Sequence, residues 1–79
     1  MGFSARFPAR SRVPTVVVRL ATDDGEVVFR ARWRDRAIDL QRRILFRLRE
    51  GKPLWFEDER GNSHCFKPER VWKAIVAER

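Results

Sequence analysis

Two runs of alternating side chains meet across Asp23-Asp24-Gly25, and no other feature constrains the fold of this chain so tightly. In the first run Val16, Val18 and Leu20 fall on one face and Val17, Arg19 and Ala21 on the other. In the second, Val27, Phe29, Ala31 and Trp33 alternate with Val28, Arg30, Arg32 and Arg34. Successive strand residues point to opposite sides, so each run has one apolar face to bury. An Asp-Gly step between such runs marks a tight reversal, because glycine adopts positive φ without a Cβ clash. The segment from Thr15 to Arg34 therefore reads as an antiparallel hairpin whose second strand turns Phe29 and Trp33 inward and its arginines outward.

The pattern then changes period. From Asp35 to Glu50 the apolar residues Ala37, Ile38, Leu40, Ile44, Leu45 and Leu48 follow helical spacing in one broad stripe, with Gln41 at its middle. Asp35 is placed to cap the N-terminus through its carboxylate. Gly51 suits a left-handed C-terminal cap, Arg47 and Arg49 suit the negative end of the helix, and Pro53 stops it. Phe46 departs from the stripe: it lies on the opposite side of the helix, among Asp39, Arg42, Arg43 and Glu50.

A second hairpin follows. Leu54 and Phe56 oppose Trp55, the polar turn runs from Glu57 to Asn62, and His64 and Phe66 oppose Cys65 on the return. The turn is rich in acids but lacks the spacing and closing acid of a calcium loop, so it reads as a solvated loop. It is also the one acidic patch on a basic chain, and could dock the arginines of a second copy. After Pro68 two readings compete. Val71, Trp72, Ile75 and Val76 make a helical stripe, which gathers more apolar residues on one face. Alternatively a single turn at Pro68–Val71 leads into a closing strand, with Trp72, Ala74 and Val76 opposed to Ile75. The expected fold is α+β: two antiparallel hairpins packed on one amphipathic helix, order β-β-α-β-β, followed by a short C-terminal helix or a closing strand.

With 79 residues the chain is expected to form one domain spanning 15–79 behind a flexible basic arm, residues 1–14, which carries Arg6, Arg10 and Arg12 and no acid. Burial of only roughly 60% of the unfolded surface is available at this size. Cys65 is the only cysteine, so no disulfide can form within the chain. Its apolar surroundings suggest a buried reduced thiol. Together with the lack of a long apolar run, this suggests a cytoplasmic setting.

Chemistry finds little to work with. One histidine and one cysteine sit side by side on a strand and so point to opposite faces, no tyrosine is present, and all four glycines are isolated. A nucleophile–base pair, a zinc site and a phosphate loop are each short of residues. No catalytic residue, cofactor or metal is inferred, and a non-enzymatic role is expected.

Fifteen arginines against three lysines, and a net charge of +7, direct attention to partners instead. Guanidinium groups make planar bidentate contacts with phosphates and carboxylates. The reading that unites most features is a homodimeric adaptor or regulatory protein acting through protein–protein contact, with Phe46 at the interface and Arg42, Arg43 and Arg49 around it. The alternative is charge-led nucleic-acid binding by Arg19, Arg30, Arg32 and Arg34, the strand arginines being about 7 Å apart along one face. In a third reading the arginines only solvate the sheet. A membrane surface fits poorly, because acids share the helix's polar face. Both binding readings need the arginines and Phe46 outward and the tryptophans inward.

Overall fold

A computed structural model describes residues 13–79; the expectation of a flexible arm falls largely on residues 1–12, outside the described residues. Strands β1 (Thr15–Thr22) and β2 (Gly25–Arg32) form the expected hairpin, in register from Thr22 opposite Gly25 to Thr15 opposite Arg32. Its reversal is built from local chemistry. Positive φ falls on Gly25 alone, at 111°. The Thr22 hydroxyl donates to the Gly25 carbonyl at 2.8 Å and accepts from the Asp24 amide at 3.2 Å. The inward residues of β1, Val16, Val18 and Leu20, are the centre of the core.

Helix α1 (Ala37–Arg49) lies across this inner face and buries Ala37, Leu40 and Ile44. Its caps differ in origin. Asp35 does not cap it; Arg36 occupies the N-cap without a side-chain bond, and the Glu78 carboxylate, from the far end of the chain, accepts from the Ala37 amide at 2.8 Å. A negative group there also complements the helix dipole. At the other end Gly51, with φ 69°, donates to the Leu48 carbonyl, and Lys52 donates to that of Arg47. That pair of bonds is a Schellman closure, which satisfies carbonyls the helix itself cannot.

The apolar stripe of α1 is wider than its footprint on the sheet. Ile38 and Leu45 remain 44% and 42% exposed, a departure from the single buried stripe expected. Gln41, the polar residue within it, ties α1 to the last strand, because its Oε1 accepts from the Val76 amide at 3.0 Å.

Strands β3 (Leu54–Glu57) and β4 (Ser63–Phe66) form the second hairpin. Its inner side presents Leu54, Phe56, His64 and Phe66, and Phe29 of β2 joins them. The Phe29 ring lies edge-on to Phe56 at 5.3 Å and is stacked with His64 at 4.8 Å. Backbone contacts reinforce the junction, with Ala31 bridging Asp58 and the Glu59 amide donating to the Arg30 carbonyl at 3.1 Å.

The chain closes with a 3-10 turn at Pro68–Arg70 and strand β5 (Val71–Ala77), so the closing-strand alternative is the one adopted and the helix is not. The β5 strand pairs antiparallel with β1, giving the order β2-β1-β5. The physical reason is that β1, the most apolar strand, needs a neighbour on both edges. A helix from Val71 onward would leave one row of its backbone groups unpaired. Register slips where Ala21 meets Lys73 and Thr22 meets Val71. This bulge turns Trp72 outward, away from Ala74 and Val76, and its indole Nε1 donates to Asp23 at 3.0 Å. Among the described residues no helix is long and apolar enough to cross a membrane.

Candidate functional site

Three surfaces bring the sequence-predicted residues into view. The first is the outer side of α1. Phe46 is 56% exposed there, and Arg42, Arg43 and Arg49 are exposed as well. Helical spacing places Arg42 one turn before Phe46, and Ile38 and Leu45 beside them. The face therefore holds three exposed apolar side chains where the sequence singles out one. Arg43 leans off this face, its guanidinium 6.0 Å from the centre of the Trp33 ring.

The second surface is the outer side of the three-stranded sheet. Arg19 does share the outward side with Arg30 and Arg32, since it pairs with Val28 in register. These groups are partly engaged: Arg19 with Glu26 at 3.7 Å, Arg30 with the Thr15 hydroxyl at 3.5 Å, and Arg32 with Glu57 at 3.6 Å and the Glu59 carbonyl at 3.2 Å. Arg34 lies past the end of β2, so the row stops at Arg32. Two exposed pairs of this kind each contribute little to stability, but they place the protein's own carboxylates where phosphates would have to sit.

The third surface is not foreseen in the sequence. A cleft of about 410 Å³ opens between α1, β3 and the end of β2. Its buried lining includes Ile44 and Phe56, its sides Trp33 and Trp55, and its rim Arg32, Arg43 and Arg47. A second cleft of about 660 Å³ adjoins it, sharing Arg32, Trp33 and Glu57 and adding Arg34. The tryptophans do not all point inward as expected. Trp33 is half-buried, Trp55 is 64% exposed and Trp72 is 75% exposed. For Trp55 the signal was present in its opposite parity to Leu54 and Phe56. For Trp72 it was hidden, because nothing local marks the bulge.

The acidic turn proves largely self-contained. The Asp58 carboxylate accepts from the amides of Arg60 and Asn62, both at 2.9 Å, and from the His64 ring at 2.9 Å. With Glu57 directed to Arg32, two of its three acids have partners within the chain rather than standing ready for a second copy. The His64 hydrogen bond, followed by the two amides, holds the Asp58 carboxyl down from its ordinary 3.8 to about 2. Between these values the unfolded chain binds more protons than the folded one. Stability from this site is therefore complete above about pH 4 and lost as pH falls towards 2. Urea midpoints measured across that window should fall with acid in the parent protein. In Asp58→Asn the starting midpoint should be lower and the slope shallower; equal slopes would remove Asp58 as the cause.

His64 and Cys65 do lie on opposite faces of β4. His64 is half-buried against Phe29, whereas Cys65 is exposed on the Trp55 side, correcting the expected buried thiol. Among the described residues no three His, Cys, Asp or Glu side chains gather to hold a metal ion. Compared with family models, curated proteins and solved structures, the chain matches none.

Proposed function

We propose that this protein acts by binding rather than by catalysis, and that its partner on the outer face of α1 is a second copy of itself. The observation that carries this reading is the joint exposure of Ile38, Leu45 and Phe46 on one side of a helix whose other side already buries Ala37, Leu40 and Ile44. A domain of this size has a small core, and burying three such side chains at an interface stabilises the fold as well as the assembly.

The charges on that face suit an antiparallel two-fold arrangement. With the axis crossing the outer face midway along α1, level with residue 44, Asp39 of one copy lies opposite Arg49 of the other, and Arg42 lies opposite Phe46. Unlike charges then meet at both ends, and a guanidinium meets an aromatic ring between them. A single helix-on-helix contact buries less than the roughly 1,200 Å² of a stable interface, so association in the micromolar range or weaker is expected.

Sedimentation over a concentration series tests this. The parent chain should move from monomer to dimer, and Phe46→Ala should remain monomeric. Asp39→Arg should weaken the dimer about tenfold, and adding Arg49→Asp should restore much of that loss, because the pair is then reversed rather than removed. A monomer at every concentration, or a double variant no better than the single one, would refute the arrangement.

A further inference from the structure

We propose that the two adjoining clefts around Trp33 form a binding site for single-stranded nucleic acid, independent of the α1 face. Trp55 supplies a stacking surface, and Arg32, Arg34, Arg43 and Arg47 face the phosphates.

Charge is the first argument. The ionisable residues lining the two clefts are these four arginines against Glu57 and Asp35. Glu57 is paired with Arg32, which leaves Arg34, Arg43 and Arg47 against Asp35 alone. Arg32 is partly engaged, by Glu57 at 3.6 Å and by the Glu59 carbonyl at 3.2 Å, whereas among the described residues Arg34 and Arg43 form no ion pair with a carboxylate. A phosphate would pair with those two guanidinium groups and compete with Glu57 for Arg32.

The second argument is the placing of the indoles. Trp55 stands 64% exposed on a strand whose other side is buried, and it lines the cleft together with Arg43 and Arg47. Large exposed aromatic rings beside guanidinium groups are what an unpaired base needs, since every base has a flat face to stack and a phosphate within reach. A duplex hides those faces inside its own stack. An acidic polypeptide would satisfy the arginines but would leave the indole and the apolar lining without a flat partner. The linings hold no side-chain amide and only two carboxylates, of which Glu57 is paired with Arg32, so binding should tolerate sequence.

The charge-led surface read from the sequence is thereby moved. Arg32 and Arg34 keep a role, Arg19 and Arg30 lose theirs, and Arg43 and Arg47 of α1 replace them.

Fluorescence anisotropy of the full chain with a labelled oligothymidylate of about 12 nucleotides tests the site. Binding at low salt should weaken steeply as salt rises. Trp55→Ala should weaken it about tenfold. Arg43→Ala should lower the salt slope by about 0.7, and Glu57→Gln should tighten binding by freeing Arg32. Trp72→Ala removes a still more exposed indole, on β5 and outside both clefts, and should bind as the parent does. Circular dichroism confirms that each variant is folded; if Trp55→Ala is not, Arg43→Ala and Glu57→Gln decide. Absence of binding at low salt, parent-like binding by the cleft variants, or equal affinity for a duplex or for polyglutamate would overturn the proposal.

Discussion

Leu20→Ala is expected to lower the free energy of unfolding by about 2–5 kcal/mol and to leave much of the protein unfolded at room temperature. Leu20 has no solvent exposure, sits on the central strand, and faces neighbours from β2 and β5. Truncation removes apolar burial and opens a cavity that paired strands on both sides cannot collapse to fill. A single core of this size supplies only about 3–5 kcal/mol in total, so the loss is comparable to the whole. Urea denaturation followed by circular dichroism measures it. Ile75→Ala is the control: the same number of carbons leaves from an exposed position on the outer face of β5, and the change should stay within about 1 kcal/mol. Similar effects at the two positions would mean that the inner face of β1 is not the centre of the core.

Phe29→Ala should come second in size, at about 2–4 kcal/mol, with a different signature. The Phe29 ring is the common neighbour of Phe56, His64 and Phe66 and couples the second hairpin to the sheet. Removing it takes away the shared partner of three rings while leaving the β1–β5 pairing untouched. Amide exchange should therefore quicken across β3 and β4 well before it does across β1 and β5. Phe29→Leu should recover part of the loss, since it restores volume without the ring geometry. Uniform acceleration over the whole domain would show that the hairpin and the sheet open as one unit.

The legible parts of this fold are those where local chemistry and burial agree. Alternation and the Asp-Gly step suffice for the first hairpin, and the glycine after Glu50 for the end of α1. The misread parts depend on partners distant in sequence. Residues 71–77 carry enough helical periodicity to compete, and only the open edge of β1, some 50 positions earlier, decides for a strand. The N-terminus of α1 is likewise capped by Glu78 rather than the adjacent Asp35, because the chain end returns beside it. Gln41 interrupts an apolar stripe in the sequence and serves in the fold as a tether.

For the candidate site the balance is reversed. Residue types are informative and positions are not. Phe46 can be placed outward from its helical angle alone. The exposure of Ile38 and Leu45 depends on how far α1 is rotated about its axis on the sheet, which its own sequence does not encode. The cleft needs three separated segments to meet: the end of β2, the second half of α1, and β3. No window along the chain contains it.

Synthesis runs from one end, and the strand order has a cost there. The middle ribbon, β1, is translated well before β5, one of its two neighbours. A nascent chain emerging from the ribosome can form the first hairpin at once but must carry an open, valine-rich margin until residues 71–77 clear the exit tunnel. Stalling or nonsense truncation before that point would yield a sticky, unfinished product rather than a weakened native one, a hazard set by connectivity alone.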